Sequence, residues 1–205
     1  MNKKHLLFSA LFLSSFVLWT VALFFVDVQS IGPQGSTVGL ATLNRFVHEM
    51  TGVHMSLYVI TDWLGLVPIG FMLGFALLGL VQWIKRRNLC AVDRSIRVLG
   101  GFYLLVMTAY FLFEVFIVNR RPILINGYLE ASYPSSTTLL VLCVMPTAAR
   151  QLRTRVKGRG IFIAIGIFIL FMVIGRLVSG VHWFSDIIGS ILLSAGLVSL
   201  YRAVS

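Results

Sequence analysis

The chain has 205 residues, of which 58% are apolar or aromatic and only 12% are charged, and its formal net charge is +10. This composition excludes a soluble globular domain, because such a domain needs more polar surface than so few polar residues provide. The positive charge does not indicate a nucleic acid partner, since most basic residues flank long apolar segments in the pattern of a membrane protein.

Six apolar segments predict an all-α, polytopic membrane protein with six transmembrane helices. A helix needs about 20 mostly apolar residues to cross the hydrocarbon core, and backbone without water has to be helical. Four segments reach this length, whereas 135–149 and 184–201 are shorter or more polar. In chain order, the predicted spans are residues 6–26, 57–84, 98–118, 135–149, 160–178 and 184–201. Residues 1–205 therefore form a single integral membrane domain.

The flanking charges predict the orientation of these helices. The span 6–26 is too long for a signal peptide and lacks a small-residue cleavage site, so we interpret it as a retained helix. With the N-terminus inside, 13 of the 17 basic residues lie in cytoplasmic segments, as the positive-inside rule requires. Both termini are then cytoplasmic, and the small size and charge asymmetry indicate a bacterial inner or plasma membrane.

The longest segment between the spans is the outer loop 27–56. It begins with a Gly/Pro/Ser-rich stretch, and its part from Val38 to Met50 carries apolar residues at helical spacing. This pattern predicts an amphipathic helix that lies in the membrane interface.

Three outer segments contain most of the polar residues that a membrane topology does not explain. They are 119–122 after the third span, 133–137 at the start of the fourth, and 175–186 between the fifth and sixth. Because successive helices alternate in direction, all three segments are predicted to meet at one membrane face.

These residue types suit a phosphate group. Arginine forks such as those of Arg121 and Arg176 match phosphate oxygens, and free N–H groups at a helix start form an anion site. His182 and Asp186 are four residues apart and therefore share a helix face. A carboxylate that orients one ring nitrogen leaves the other free to attack phosphorus.

The segment Arg176-x5-His182-x3-Asp186 resembles the third motif of the type 2 phosphatidic acid phosphatase superfamily. The order of the other two segments and their membrane placement also match that family. Arg121-Pro122 resembles the end of its first motif, and Pro134-Ser135-Ser136 resembles the start of its second.

This resemblance implies a lipid phosphatase that needs no metal and no cofactor and acts at the non-cytoplasmic face. The phosphatase-like helical core is expected in the later spans, over residues 98–201. His182 is implied to be the nucleophile that forms a phosphohistidine, and Asp186 to orient it. The implied phosphate-binding residues are Arg121, Arg176, Ser135 and Ser136.

Two positions depart from the family pattern. Glu114 stands where the family has a lysine, and neighbouring Arg120 is a candidate substitute; we expect Glu114 to pair with Arg120 or Arg121. Thr137 stands where the family has the histidine that protonates the leaving group, and a hydroxyl is a poor general acid. His48, in the outer loop, is a candidate replacement for that acid.

We therefore expect hydrolysis of lipid phosphates or diphosphates, with isoprenoid or other lipid diphosphates favoured, because a phosphate leaving group needs less protonation than an alkoxide. One alternative is an inactive member that binds lipid phosphates as a sensor, scaffold or transport component. Another is phosphotransfer to an acceptor lipid or sugar. In every case the expected partners are the lipid substrate and the surrounding membrane lipids.

Overall fold

The computed structural model describes residues 2–153, 155–156 and 158–205, and within these residues the regular secondary structure is helical. The prediction of an all-α protein is confirmed. The α-helices of the described residues are α1 (Lys3–Phe25), α2 (Ala41–Thr51), α3 (Met55–Leu64), α4 (Leu66–Arg86), α5 (Arg94–Val115), α6 (Ser136–Leu152), α7 (Gly160–Val178) and α8 (Phe184–Val204).

Five helical segments of the described chain are long and apolar enough to cross a membrane: α1, α3 with α4, α5, α7 and α8. The predicted count of six spans is not confirmed, because α6 has only 17 residues. Helix α6 packs against α4, α5, α7 and α8. A helix that is surrounded by other helices contacts protein rather than lipid, so its sequence does not need to be as apolar as that of a lipid-facing span.

The two chain ends lie together at one end of the bundle, where the Asn2 backbone N–H donates to the Ala203 carbonyl over 3.1 Å. Helices α1 and α8 pack along each other over much of their length. The core between α5, α6 and α8 is built from buried residues that include Leu99, Val106 and Leu197. We call the opposite end of the bundle, where α1, α5 and α7 end and α6 and α8 begin, the site end.

Helix α2 lies within the outer loop, where the sequence predicts an amphipathic helix. Its protein-facing side is held by Asn44, which is fully buried and donates through Nδ2 to the Gly39 carbonyl over 2.8 Å. The Asn44 Oδ1 atom accepts the backbone N–H of Ser185 over 3.0 Å. Phe46 and Met50 are exposed on the other side. The location of this helix in the membrane interface stays a prediction.

The predicted second span is divided into α3 and α4, which meet at Gly65. A Cβ atom at Gly65 would lie 2.9 Å from the Asp62 carbonyl oxygen and 3.4 Å from Cγ2 of Thr137. The start of α6 therefore lies against the junction of the two helices. Asp62, which is close to this junction, lies at the site end.

A hairpin-like loop, residues 119–132, connects α5 to the segment that precedes α6. The Arg121 backbone N–H donates to the Glu130 carbonyl, and the Ser132 N–H donates to the Asn119 carbonyl, each over 3.0 Å. The loop turns at Asn126 and Gly127, whose φ angles are 50° and 83°, as is typical of Asn-Gly hairpin turns. This pairing places the Glu130 side chain next to Arg121.

Candidate active site

A cavity of about 600 Å³ opens at the site end between α3, α4, α5, α6, α7 and the hairpin-like loop. We call it the main cavity. Three arginines and three carboxylic acids line it, so its charged side chains balance formally: Arg120, Arg121, Arg176, Asp62, Glu114 and Glu130.

Arg176 is the most deeply buried guanidinium of the main cavity, with only 1% of the residue exposed. Its Nη2 atom donates to Thr137 Oγ1 over 2.8 Å and lies 3.6 Å from Asp62 Oδ1. Its Nη1 atom donates to Thr61 Oγ1 over 3.4 Å. The guanidinium carbon also lies 5.0 Å from the centre of the Tyr58 ring. These contacts fix the cation in the cavity wall.

Arg121 also lies close to the Tyr58 ring. Its guanidinium carbon is 5.8 Å from the centre of the Tyr58 ring. Its Nε atom lies 3.0 Å from Glu130 Oε2, but this contact is not aligned as a hydrogen bond, and within the described structure Nε and Nη1 of Arg121 have no hydrogen-bond partner. Unsatisfied buried donors cost free energy, which a bound anion would offset.

His182 lies in the turn between α7 and α8 and is 3% exposed. Its Nδ1 atom is 3.2 Å from the Ser132 carbonyl oxygen. A carbonyl oxygen accepts only, so Nδ1 carries the proton and Nε2 carries the lone pair. In the described structure, Nε2 is buried and has no hydrogen-bond partner. The ring is therefore held in the tautomer that a nucleophilic histidine requires.

The environment of His182 favours the neutral ring. The pKa of His182 is lowered from 6.5 to about 4, chiefly by burial; the nearby charges of Arg121 and Arg176 contribute to the lowering, and Asp186 opposes it. The lowering by burial exceeds the effect of Asp186, whose Oδ2 atom is 3.7 Å from His182 Nδ1. At neutral pH the free protein consequently holds an unprotonated Nε2 atom.

Asp186 is fully buried in the first turn of α8. Its Oδ2 atom accepts the backbone N–H of Trp183 over 3.0 Å, and its Oδ1 atom accepts from Asn119 Nδ2 over 3.1 Å. The contact with His182 is longer than either of these bonds. Asp186 thus ties the histidine turn to the hairpin-like loop, while the closest acceptor for His182 is the Ser132 carbonyl.

His182 faces a second, much smaller cavity, which has a volume of about 10 Å³, enough for roughly one water molecule. We call it the nucleophile cavity. It shares four lining residues with the main cavity: Tyr110, Glu114, Ala131 and Ser136. The histidine and the arginines therefore border two adjoining spaces with a common wall.

The two predicted serines occupy different positions. Ser136 begins α6 and lines both cavities, where the first N–H groups of the helix lack helical partners. Ser135 is fully buried and lines neither cavity: its Oγ atom bonds to Thr138 Oγ1 over 3.0 Å, and its N–H donates to the Asp186 carbonyl over 3.3 Å. In this arrangement Ser135 positions the helix start.

Of three auxiliary residues named in the sequence analysis, Glu114 and Arg120 line the main cavity and His48 does not. The predicted ion pair of Glu114 with Arg120 or Arg121 is not formed, because Arg121 lies against Glu130 and Arg120 Nη1 donates to the Leu129 carbonyl over 3.1 Å. His48 lines neither cavity; its Nε2 atom is 3.1 Å from the Gly180 carbonyl oxygen.

The sequence analysis missed the contribution of α3 to the site. Tyr58, Thr61 and Asp62 lie on one face of this helix at helical spacing and contact Arg176. Gly175 permits this packing, since a Cβ atom there would lie 2.8 Å from Cγ2 of Thr61. Polar residues at positions i, i+3 and i+4 of an otherwise apolar span were the available signal.

Comparisons with known proteins agree with this architecture. No curated protein matches the chain. The fold is similar to the crystal structure of the first transmembrane PAP2 type phosphatidylglycerolphosphate phosphatase from Bacillus subtilis, with a TM-score of 0.53 and 18% identity over 96% of this chain and 94% of that chain. The PAP2 superfamily matches residues 102–205, which include His182, Asp186 and both buried arginines. With half of its residues covered, this integral membrane protein belongs to the PAP2 superfamily.

Proposed function

We propose that this protein is a membrane lipid phosphatase that hydrolyses lipid phosphates or diphosphates through a phosphohistidine at His182. The observation that carries the proposal is the state of His182, which is buried and neutral and has an unpartnered Nε2 atom beside a cavity with two buried arginines. Membership of the PAP2 superfamily supports a phosphatase at the level of the family.

Phosphate binding is assigned to Arg121 and Arg176. Both guanidiniums flank the Tyr58 ring, and the Nε and Nη1 atoms of Arg121 and the Nε atom of Arg176 have no hydrogen-bond partner among the described residues. The first N–H groups of α6, at Ser136, complete the donor set. Because the nucleophile cavity admits little more than a water molecule, the phosphoryl group has to bind where the two cavities adjoin.

The substrate class follows from Thr137. Its hydroxyl accepts a hydrogen bond from Arg176, and an aliphatic hydroxyl has no readily released proton, so this position does not supply a general acid. A phosphate leaving from a diphosphate needs less protonation than an alkoxide leaving from a monoester. We therefore propose that isoprenoid or other lipid diphosphates turn over faster than phosphatidic acid.

The proposed orientation places the site end on the non-cytoplasmic side. The residues that support it are basic and belong to the opposite end, which carries the chain termini: Lys3, Lys4, Lys85, Arg86, Arg87, Arg94, Arg97, Arg150, Arg153 and Arg202. By the positive-inside rule, that opposite end faces the cytoplasm.

Phosphate release by the purified protein in detergent tests the proposal. The substrates are an isoprenoid diphosphate and phosphatidic acid, and the variants are His182→Asn and, as a matched control, His48→Asn. We expect release from both lipids, faster from the diphosphate, with a loss of about 10⁴-fold in His182→Asn and little change in His48→Asn.

Each competing function predicts a different result in the same assay. A clear preference for phosphatidic acid contradicts the proposed substrate class. Lipid-phosphate binding without release indicates a sensor, scaffold or transport component, and release that depends on an added lipid or sugar acceptor indicates a phosphotransferase.

A further inference from the structure

Glu114 occupies the junction of the two cavities. It lies in the last turn of α5 and lines both the nucleophile cavity that His182 borders and the main cavity that Arg121 and Arg176 border. The described structure gives its carboxyl group no hydrogen bond and no ion pair. An acidic side chain beside a phosphate site repels the phosphate if it is ionised, so its presence there needs a chemical reason.

The other acidic residues of the site are already engaged. Glu130 Oε2 lies 3.0 Å from Arg121 Nε, and Asp62 Oδ1 lies 3.6 Å from Arg176 Nη2. Asp186 is fully buried and accepts hydrogen bonds from Trp183 and Asn119. A carboxyl group that is held against an arginine is already engaged and is not free to contact a leaving group. Among the described acids that line the main cavity, Glu114 alone lacks such a cation.

The reaction, in turn, lacks a proton donor for the leaving group. Attack of His182 on a monoester expels an alkoxide, and positioned general acids typically accelerate such steps by about 10²- to 10⁴-fold. Thr137, at the position of the family's acid, instead accepts a hydrogen bond from Arg176 over 2.8 Å. Thr137, which stands in place of the acid, and the unengaged carboxyl group of Glu114 therefore line the same cavity.

We propose that Glu114 protonates the leaving group; this assignment rests on the proposed phosphatase function. As the bond between His182 Nε2 and phosphorus forms, the bond from phosphorus to the leaving oxygen breaks, and that oxygen takes the Glu114 proton. Water then attacks the phosphorus and loses its proton to the bulk solvent, the P–N electron pair returns to Nε2, and Glu114 regains a proton from solvent.

This assignment is compatible with the proposed preference for diphosphates. Glu114 is exposed, and no hydrogen bond fixes its carboxyl group in the described structure. It therefore replaces the missing acid only in part, so the substrate with the better leaving group keeps an advantage. Tyr110 lines the same junction, but a phenol is a much weaker acid than a carboxyl group.

The dependence on the leaving group tests the assignment. The kcat of Glu114→Gln is measured with phosphatidic acid, an isoprenoid diphosphate and p-nitrophenyl phosphate, whose leaving group needs no proton. We expect a loss of about 10²-fold with phosphatidic acid and of less than about threefold with p-nitrophenyl phosphate. Glu49→Gln, which removes an exposed carboxyl group of α2 that lines neither cavity, is the matched control and should lose nothing.

Two further variants separate the possible outcomes. Tyr110→Phe should not show the dependence on the leaving group, and a dependence found there instead of in Glu114→Gln would overturn the assignment. In a Thr137→His background, Glu114→Gln should lose less than about tenfold, because the histidine supplies the proton. An equal loss with every substrate, or a gain, in Glu114→Gln also overturns the assignment of Glu114 but leaves the proposed phosphatase function standing. If the wild-type protein releases phosphate from no substrate, both the assignment and the proposed function are overturned.

Discussion

The two sides of the active site are built differently. The nucleophile side, made of His182, Asp186 and Ser132, is buried, and backbone carbonyls and N–H groups fix its side chains. The rim of the main cavity, where Asp62 and Glu114 lie, is exposed. The residues of the nucleophile side resemble the family motif given in the sequence analysis, whereas Glu114 at the rim and Thr137 depart from it.

We infer from this difference which parts of the proposed phosphatase site tolerate change. A buried nucleophile depends on contacts that a single substitution removes, and an unpaired buried polar group costs about 1–3 kcal/mol. An exposed acid or base keeps its hydration in either form, so other side chains can replace it at little cost in stability. The following predictions test whether the two sides can be changed independently, starting with the largest expected effect.

Asp186→Asn is expected to reduce kcat by about 10³-fold. The carboxylate is 3.7 Å from His182 Nδ1 and stabilises the positive charge that the ring gains when Nε2 attacks phosphorus. Inhibition by inorganic phosphate should persist, because Arg121 and Arg176 are unchanged. The matched control is Asp93→Asn at the opposite end of the bundle. Loss of phosphate inhibition together with kcat would mean that the two sides are not independent.

The stability of the protein should fall as the pH is lowered below 6.5. The pKa of His182 is about 4 in the folded protein because of burial, and about 6.5 when unfolded, so the unfolded chain binds the proton first. The stabilisation is complete above pH 6.5 and is lost as the pH falls towards 4, with a total of about 3 kcal/mol.

Thermal unfolding in detergent between pH 7 and pH 4 measures this effect. His182→Asn should show a correspondingly flatter pH profile than the wild-type protein, and His48→Asn should not. Identical profiles for the wild-type protein and His182→Asn would contradict a neutral, buried His182.

Thr137→His is expected to give the smallest effect, a gain of about tenfold in kcat with phosphatidic acid and little gain with a diphosphate. The gain is below the full contribution of a general acid, because Glu114 already supplies part of it in the mechanism proposed above. The comparison variant is Thr137→Val, which removes the acceptor of Arg176 Nη2 and should weaken phosphate binding. A loss with both lipids in Thr137→His would show that the hydroxyl serves chiefly to hold Arg176.

Much of the fold could be predicted because it depends on local patterns. Apolar length predicted α1, α5, α7 and α8 within a few residues of their bounds. It did not predict the division of the second span at Gly65, because apolar length does not show where a long helix is interrupted. The prediction of a membrane span at α6 was not confirmed, because this helix is surrounded by protein rather than by lipid.

For the site, the spacing of Arg176, His182 and Asp186 was sufficient to identify a candidate nucleophile, since these residues are neighbours in the chain and in space. The pairing of Arg121 with Glu130 escaped prediction, although the Asn-Gly turn between them was visible in the sequence. The expected partner of Glu114 was wrong because the hairpin-like loop presents Glu130 to Arg121 first.

The sequence by itself determined that the chain is a helical membrane protein with a histidine–aspartate couple and two arginines of a phosphatase family. Hydrophobic length and short-range spacing are properties of a linear chain, so they require no knowledge of packing. Only the tertiary structure decided that Tyr58 and Thr61 of α3 hold Arg176, which is 115 residues from Thr61 in the chain. It also decided that Glu114 has no ion-pair partner among the residues that the structure describes. Those contacts depend on which helices become neighbours, and the packing of the whole bundle determines that arrangement.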